Sequence, residues 1–135
     1  MRWIVIVCCL VIGAGVYLST QPDEHASHDA MAVSAGITIP DLAGDAARGL
    51  DVFAANCVSC HGAHATGTDS GPSLVHIIYE PSHHGDGAFY AAVRNGVRQH
   101  HWPFGDMPPV PGVTDEETGF VIAYIRTLQR ANGIN

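Results

Sequence analysis

The stretch Cys57-Val58-Ser59-Cys60-His61 decides how the rest of this chain is read. It has the C-x-x-C-H form of a covalent haem attachment site. Two thiols three positions apart can add to the two vinyl groups of one haem. The adjacent histidine then falls beneath the iron. Three other readings of the cysteine pair stand beside this one. A zinc site would need two more ligands at suitable spacing. A thioredoxin-type redox pair expects a βαβ context, and no such pattern is visible. A coincidental pair of buried cysteines is the third. If haem is right, the chain should also supply a route out of the cytoplasm, a second axial ligand and helices that wrap the ring.

Composition narrows the setting. The chain has 135 residues, room for one small domain. Thirteen acidic residues face six arginines with no lysine, for a net charge of −7. That balance argues against nucleic acid as a partner. The four cysteines form two adjacent pairs, not the spread of a disulfide framework.

Residues 3–18 are apolar and uncharged, preceded by Arg2 and followed by Asp23, Glu24 and Asp29. As a helix, residues 3–20 would span about 27 Å, close to the hydrocarbon core of a bilayer. Residues 1–18 therefore read as a single transmembrane anchor with the N-terminus in the cytoplasm. A cleaved signal peptide is the competing reading. Cys8 and Cys9 fit as small apolar residues of such a helix. Residues 19–40 are mostly small and polar and read as a flexible linker, with His25 and His28 solvated. Residues 41–135 form the domain that carries the motif.

Within that domain the expected structure is all-α. Asp45 is placed to cap a first helix whose apolar face runs through Leu50, Phe53, Ala54 and Cys57. Gly49 inside it is either tolerated or marks a close helix crossing. Residues 74–79 suggest a brief helix or turn. Asp86 is placed to cap a further helix through Phe89, Val93 and Val97, with Gly96 near its end. Thr114-Asp115-Glu116-Glu117 has the form of a capping box. The helix it opens carries an apolar stripe of Phe120, Val121, Tyr124, Ile125 and Leu128, then Arg126, Arg130 and Gly133 towards its end.

Met107 is the only methionine of residues 41–135, in the loop Phe104-Gly105-Asp106-Met107-Pro108-Pro109. The double proline stiffens the chain and suits a loop presenting a thioether to iron. Filling a gap in the core is the other use of a lone methionine. His83-His84 and His100-His101 flank the preceding helix. Either pair could supply a haem ligand in place of Met107, or copper or zinc ligands. Adjacent histidines point in different directions and rarely share one ion, so exposed loop histidines are the plainer expectation.

Taken in order, these stretches resemble class I c-type cytochromes. The resemblance rests on residues 49–53 leading into Cys57-Val58-Ser59-Cys60-His61, then Gly71-Pro72-Ser73-Leu74, Val93-Arg94-Asn95-Gly96, Met107-Pro108-Pro109 and the last helix around Tyr124-Ile125. It implies an all-α cytochrome c fold of three to five helices around one haem c, covalent through Cys57 and Cys60. It implies His61 and Met107 as axial ligands of the iron. It further implies that the Pro72 carbonyl accepts a hydrogen bond from His61, and that Tyr124 crosses the first helix at Gly49 and Phe53. Trp102 and Arg94 or Arg98 are candidates for binding the haem propionates.

The function expected is that of an electron carrier and not an enzyme. Its partners would be membrane-bound or periplasmic redox proteins, reached from a bacterial inner-membrane anchor with the haem domain in the periplasm. Cleavage would leave the domain soluble in the periplasm. Two alternatives remain open: a cytochrome subunit of a larger oxidase or dehydrogenase complex, and a haem enzyme or gas sensor with a displaceable distal ligand.

Overall fold

Helix α1 (Gly44–Asn56) buries one narrow stripe, Ala46, Gly49 and Phe53, at a spacing that returns to the same face every turn. The computed structural model describes residues 36–135. Asp45 does not cap this helix. The N-cap is Ala43, in extended conformation, and Asp45 lies in the first turn, where it pairs with Arg48 at 3.3 Å. Of the expected apolar face, Leu50, Phe53 and Cys57 pack on the core, while Ala54 is exposed.

The Cys57 N–H donates to the Phe53 carbonyl at 2.8 Å and closes α1. The chain then turns at Cys57 into the four-residue helix α2 (Val58–His61). A 3₁₀ turn follows at Ala63–Ala65, and a second at Ile77–Tyr79 where a brief helix or turn was expected. Helix α3 (Asp86–Asn95) has Gly85, not Asp86, as its N-cap. Asp86 is drawn instead to Arg126, 2.9 Å away. The helix ends two residues before Val97, whose backbone pairs with Met107 in an isolated β-bridge.

Helix α4 (Asp115–Ala131) opens with the capping box read from its sequence. The Glu117 N–H donates to the Thr114 hydroxyl at 3.2 Å, and the Thr114 N–H donates to the Glu117 carboxylate at 2.8 Å. Its apolar stripe is the core. Val121, Tyr124, Ile125 and Leu128 close on Phe53 and Ala65, and four of these six residues have no exposed surface at all. Gly133 adopts a positive φ of 78° just past the helix end. Two hydrogen bonds between the Thr38 backbone and the Asn132 side chain, 2.7 and 2.8 Å, fasten the segment before α1 to the end of α4.

The crossing of α1 and α4 depends on Gly49. A Cβ there would strike the Phe120 carbonyl and come within 2.8 Å of the Tyr124 Cβ. One turn along, the Phe53 and Tyr124 rings meet with centroids 5.4 Å apart. This is the close crossing that the glycine left open and the resemblance implied. No helix among the described residues is long and apolar enough to cross a membrane. The anchor reading of residues 1–18 and most of the linker reading lie outside the described residues.

Two predictions follow from the helices. Gly49→Ala should destabilise the domain by about 1–3 kcal/mol, the range for forcing volume into packed structure. Gly87→Ala, where an added Cβ meets nothing within 4 Å, should stabilise by about 0.5–1 kcal/mol through helix propensity alone. Urea unfolding followed by far-ultraviolet circular dichroism compares the two. The second prediction concerns acid. The Thr114 backbone and then its hydroxyl hold Glu117 below the usual carboxylate range. Its contribution is thus complete above the ordinary glutamate pKa and is lost as pH falls through the depressed folded value. Glu117→Gln keeps a capping-box side chain without the titration. The variant should therefore lose less stability than the parent between roughly pH 5 and 3, as read by thermal melts.

Candidate functional site

The residues that carry chemistry converge on one cavity of about 630 Å³. That volume lies within the range of about 300–1,000 Å³ typical of cofactor sites. The end of α1 and all of α2 bring Cys57, Cys60 and His61 to one wall. Leu74, Phe89, Val93 and Val110 make much of the rest apolar. Met107, Pro72 and Trp102 reach the same space.

His61 is held by a single well-defined contact. Its Nδ1 lies 2.9 Å from the Pro72 carbonyl. A carbonyl only accepts, so Nδ1 carries the proton and Nε2 keeps its lone pair for a metal. Burial lowers the His61 pKa, and the Pro72 hydrogen bond opposes that less strongly. The imidazole is therefore neutral at neutral pH, the form that ligates iron. The turn that delivers Pro72 is strained. His64 and Ala65 adopt positive φ values of 54° and 58°, a conformation that costs a non-glycine residue about 1–2 kcal/mol. The strain is held in place by the Ala65 carbonyl, which accepts from Leu74 N–H at 2.9 Å and Ser73 hydroxyl at 3.2 Å.

Of the two motif cysteines, Cys57 is half-buried and Cys60 exposed. Burial, and behind it Cys60, pushes the Cys57 thiol up to about 11. That is the reverse of the depressed pKa in a thioredoxin-type pair. Among the described residues, the only group of three or more His, Cys, Asp or Glu with converging ligand atoms contains neither cysteine, so the zinc reading lacks its further ligands. Two thiols, one tautomer-locked imidazole, a methionine and apolar walls fit a covalently attached haem.

Met107 owes its position to Gly96. Paired hydrogen bonds of 2.9 Å join Val97 and Met107. Gly96 has φ +72°, and a Cβ on it would collide with the Met107 carbonyl and stand 3.0 Å from the Pro109 nitrogen. Any side chain at position 96 would thus be strained and would also push the methionine loop away.

The expected propionate partners divide. Arg94 is not on this cavity. Its guanidinium is committed to Asp115, with an Nε–Oδ1 distance of 2.9 Å, on an exposed face. Arg98 is the arginine that lines the cavity. Trp102 lines it too, but its indole N–H donates to the Tyr79 hydroxyl at 3.0 Å. Tyr79 then keeps its own proton to donate, and burial raises its pKa despite the Trp102 bond. Nothing in the apolar run of residues 74–79 distinguished Tyr79 from core. His84, His100 and His101 also line the cavity. Lost solvent and then the neighbouring His100, His84 and His83 lower the pKa of His101.

Arg126, which the sequence placed only towards the end of the last helix, is buried, with 7% of its surface exposed. It donates to Asp86 (2.9 Å), to the carbonyls of Tyr79 (2.7 Å) and His84 (2.6 Å), and to Gln129 (2.7 Å). Gln129, fully buried, adds bonds to the Leu74 and Tyr79 carbonyls at 2.9 and 3.0 Å. Together they staple the loop wall of the cavity to α4.

The cytochrome c family model matches residues 46–129, well over half of the chain. The chain belongs to the cytochrome c family, whose members hold haem c covalently and use it for electron transfer. Neither the curated proteins nor the solved structures gave a significant match.

Removing the staple should loosen the wall without touching the haem ligands. Arg126→Ala leaves the Tyr79 and His84 carbonyls short of a donor and should cost at least about 2 kcal/mol. Denaturant unfolding of the holoprotein should show the loss, while the haem remains covalently attached in a denaturing gel.

Proposed function

We propose that this protein is a monohaem carrier of single electrons between membrane-associated redox proteins, not an enzyme, with His61 and Met107 as the axial ligands. The observation that carries the reading is that two independently built loops aim at one cavity. The 63–74 turn locks His61 through Pro72, and the Val97–Met107 bridge holds the thioether. When bound, the haem supplies one-electron exchange between ferrous and ferric iron.

The residues of the chain do the remaining work. Cys57 and Cys60 would hold the ring by carbon–sulfur bonds. His61, with its proton fixed on Nδ1, would offer Nε2 to the iron. Met107 would supply the second ligand, which would favour transfer over oxygen chemistry and raise the potential relative to two histidines. Leu74, Phe89 and Val93 would exclude water, so that little rearrangement would accompany a change of charge. Arg98 and Tyr79 would bind the propionates.

Docking would use an acidic or apolar face, because the chain has no lysine. Phe104, on the cavity and 38% exposed, and Val58 beside the motif at 37% supply apolar surface for it. The protein is tethered to a bacterial inner membrane by residues 1–18, with the haem domain in the periplasm; cleavage would make it soluble there.

The ferric holoprotein should be low-spin with the weak long-wavelength band of methionine ligation. Met107→Ala should abolish that band, lower the potential and admit carbon monoxide to the ferrous form, with the haem still attached. A parent protein that already binds carbon monoxide, or a variant with an unchanged spectrum, would overturn the ligand assignment and favour an open-site enzyme or sensor.

A further inference from the structure

Adjacent histidines were expected to diverge, yet the two pairs flanking α3 converge. The His101 ring lies 4.3, 5.2 and 5.3 Å, centroid to centroid, from those of His100, His84 and His83. One ligand atom from each of His83, His84 and His101 falls within 4.8 Å of the others. The Nε2 atoms of His83 and His101 face each other at 3.3 Å. That separation is the edge of a tetrahedron around an ion with bonds of 2.0–2.1 Å, about 3.3–3.4 Å.

The hydrogen bonds around the cluster prepare it further. His84 Nδ1 donates to the Ile78 carbonyl at 2.6 Å, which leaves Nε2 as a lone pair. His100 Nδ1 donates to the Arg98 carbonyl at 2.8 Å with the same result. Carbonyls that fix the tautomer in this way are the usual outer partners of metal-bound histidine. The backbone beneath is anchored as well, since Arg126 donates to the His84 carbonyl. A lone His83–His101 hydrogen bond would explain one contact, but not the third converging ring or the carbonyl-fixed tautomer of His84.

We propose that His83, His84 and His101 bind a divalent transition-metal ion of the Zn²⁺ or Cu²⁺ class at the rim of the cavity, separate from the haem iron. Three imidazoles without a carboxylate select such ions over Mg²⁺ or Ca²⁺, which take oxygen ligands. Three protein ligands leave a position for water or an external ligand. The His100 ring lies 4.3 Å from that of His101. The site does not depend on how the haem iron is ligated.

The full-length holoprotein should be titrated with Zn²⁺ by calorimetry and loaded with Cu²⁺ for electron paramagnetic resonance. One equivalent should bind, and the Cu²⁺ spectrum of the parent protein should show coupling to several imidazole nitrogens. The exposed pair changed together, His83→Ala with His101→Ala, should weaken Zn²⁺ binding at least about 100-fold, the upper end of what losing an outer-shell partner costs. It should keep the low-spin spectrum of the parent haem. His25→Ala with His28→Ala should leave binding intact. Absence of binding would overturn the proposal. So would binding that survives loss of His83 and His101, or that disappears with His25 and His28. A metal-free His83/His101 variant whose haem turns high-spin would overturn it too, by making these residues iron ligands.

Discussion

A missing side chain at Gly49 sets the geometry of this domain. With no Cβ there, the backbone of α1 meets that of α4 at Phe120, and Phe53 and Tyr124 interlock one turn further on. The crossing fixes where α1 ends. Because α2 follows without a linker, it also fixes where the two thiols and the proximal imidazole stand relative to the core. Helix packing of this kind admits few alternatives, since packed interiors resist small displacements. The attachment motif is therefore positioned by contacts four to eight residues upstream of it.

The opposite wall of the cavity is made of loops, and loops need other constraints. Here they come from polar groups inside α4. Arg126 and Gln129 satisfy carbonyls at Leu74, Tyr79 and His84 that no helix or sheet would otherwise pair. A buried guanidinium is costly unless its donors are used. This one uses Nε and both terminal nitrogens, and its carboxylate partner, Asp86, lies at the start of α3. One side chain thus ties α3, the 3₁₀ turn at Ile77–Tyr79 and α4 into one unit.

Much of this was legible in the sequence, and the exceptions share a cause. The α4 capping box and its apolar stripe are local patterns and read correctly. The Gly49 crossing was left open by the residues and came from the resemblance. Pro72 was legible only through the resemblance, and Met107 through its double-proline loop together with the resemblance, because nothing local reports which cavity a loop will face. Asp45 and Asp86 were read as caps since their residue type favours that role, but each is used by an arginine instead, one on its own helix and one from across the fold. Arg126 had no role legible in the sequence, because its partners include backbone carbonyls 42 and 47 residues away, which carry no sequence signal. Arg94 matched the family pattern but is held by Asp115, 21 residues on. The histidine pairs were expected to diverge for the same reason: convergence across α3 is a property of the fold.

The clasp between Thr38 and Asn132 joins points 94 residues apart in the chain. It brings the entry to the domain and its last helical turn within one hydrogen bond of each other. A domain whose ends meet can be spliced into a surface loop of a host protein, or given a new start elsewhere, without pulling its core apart. The domain is in this sense portable, with entry and exit side by side.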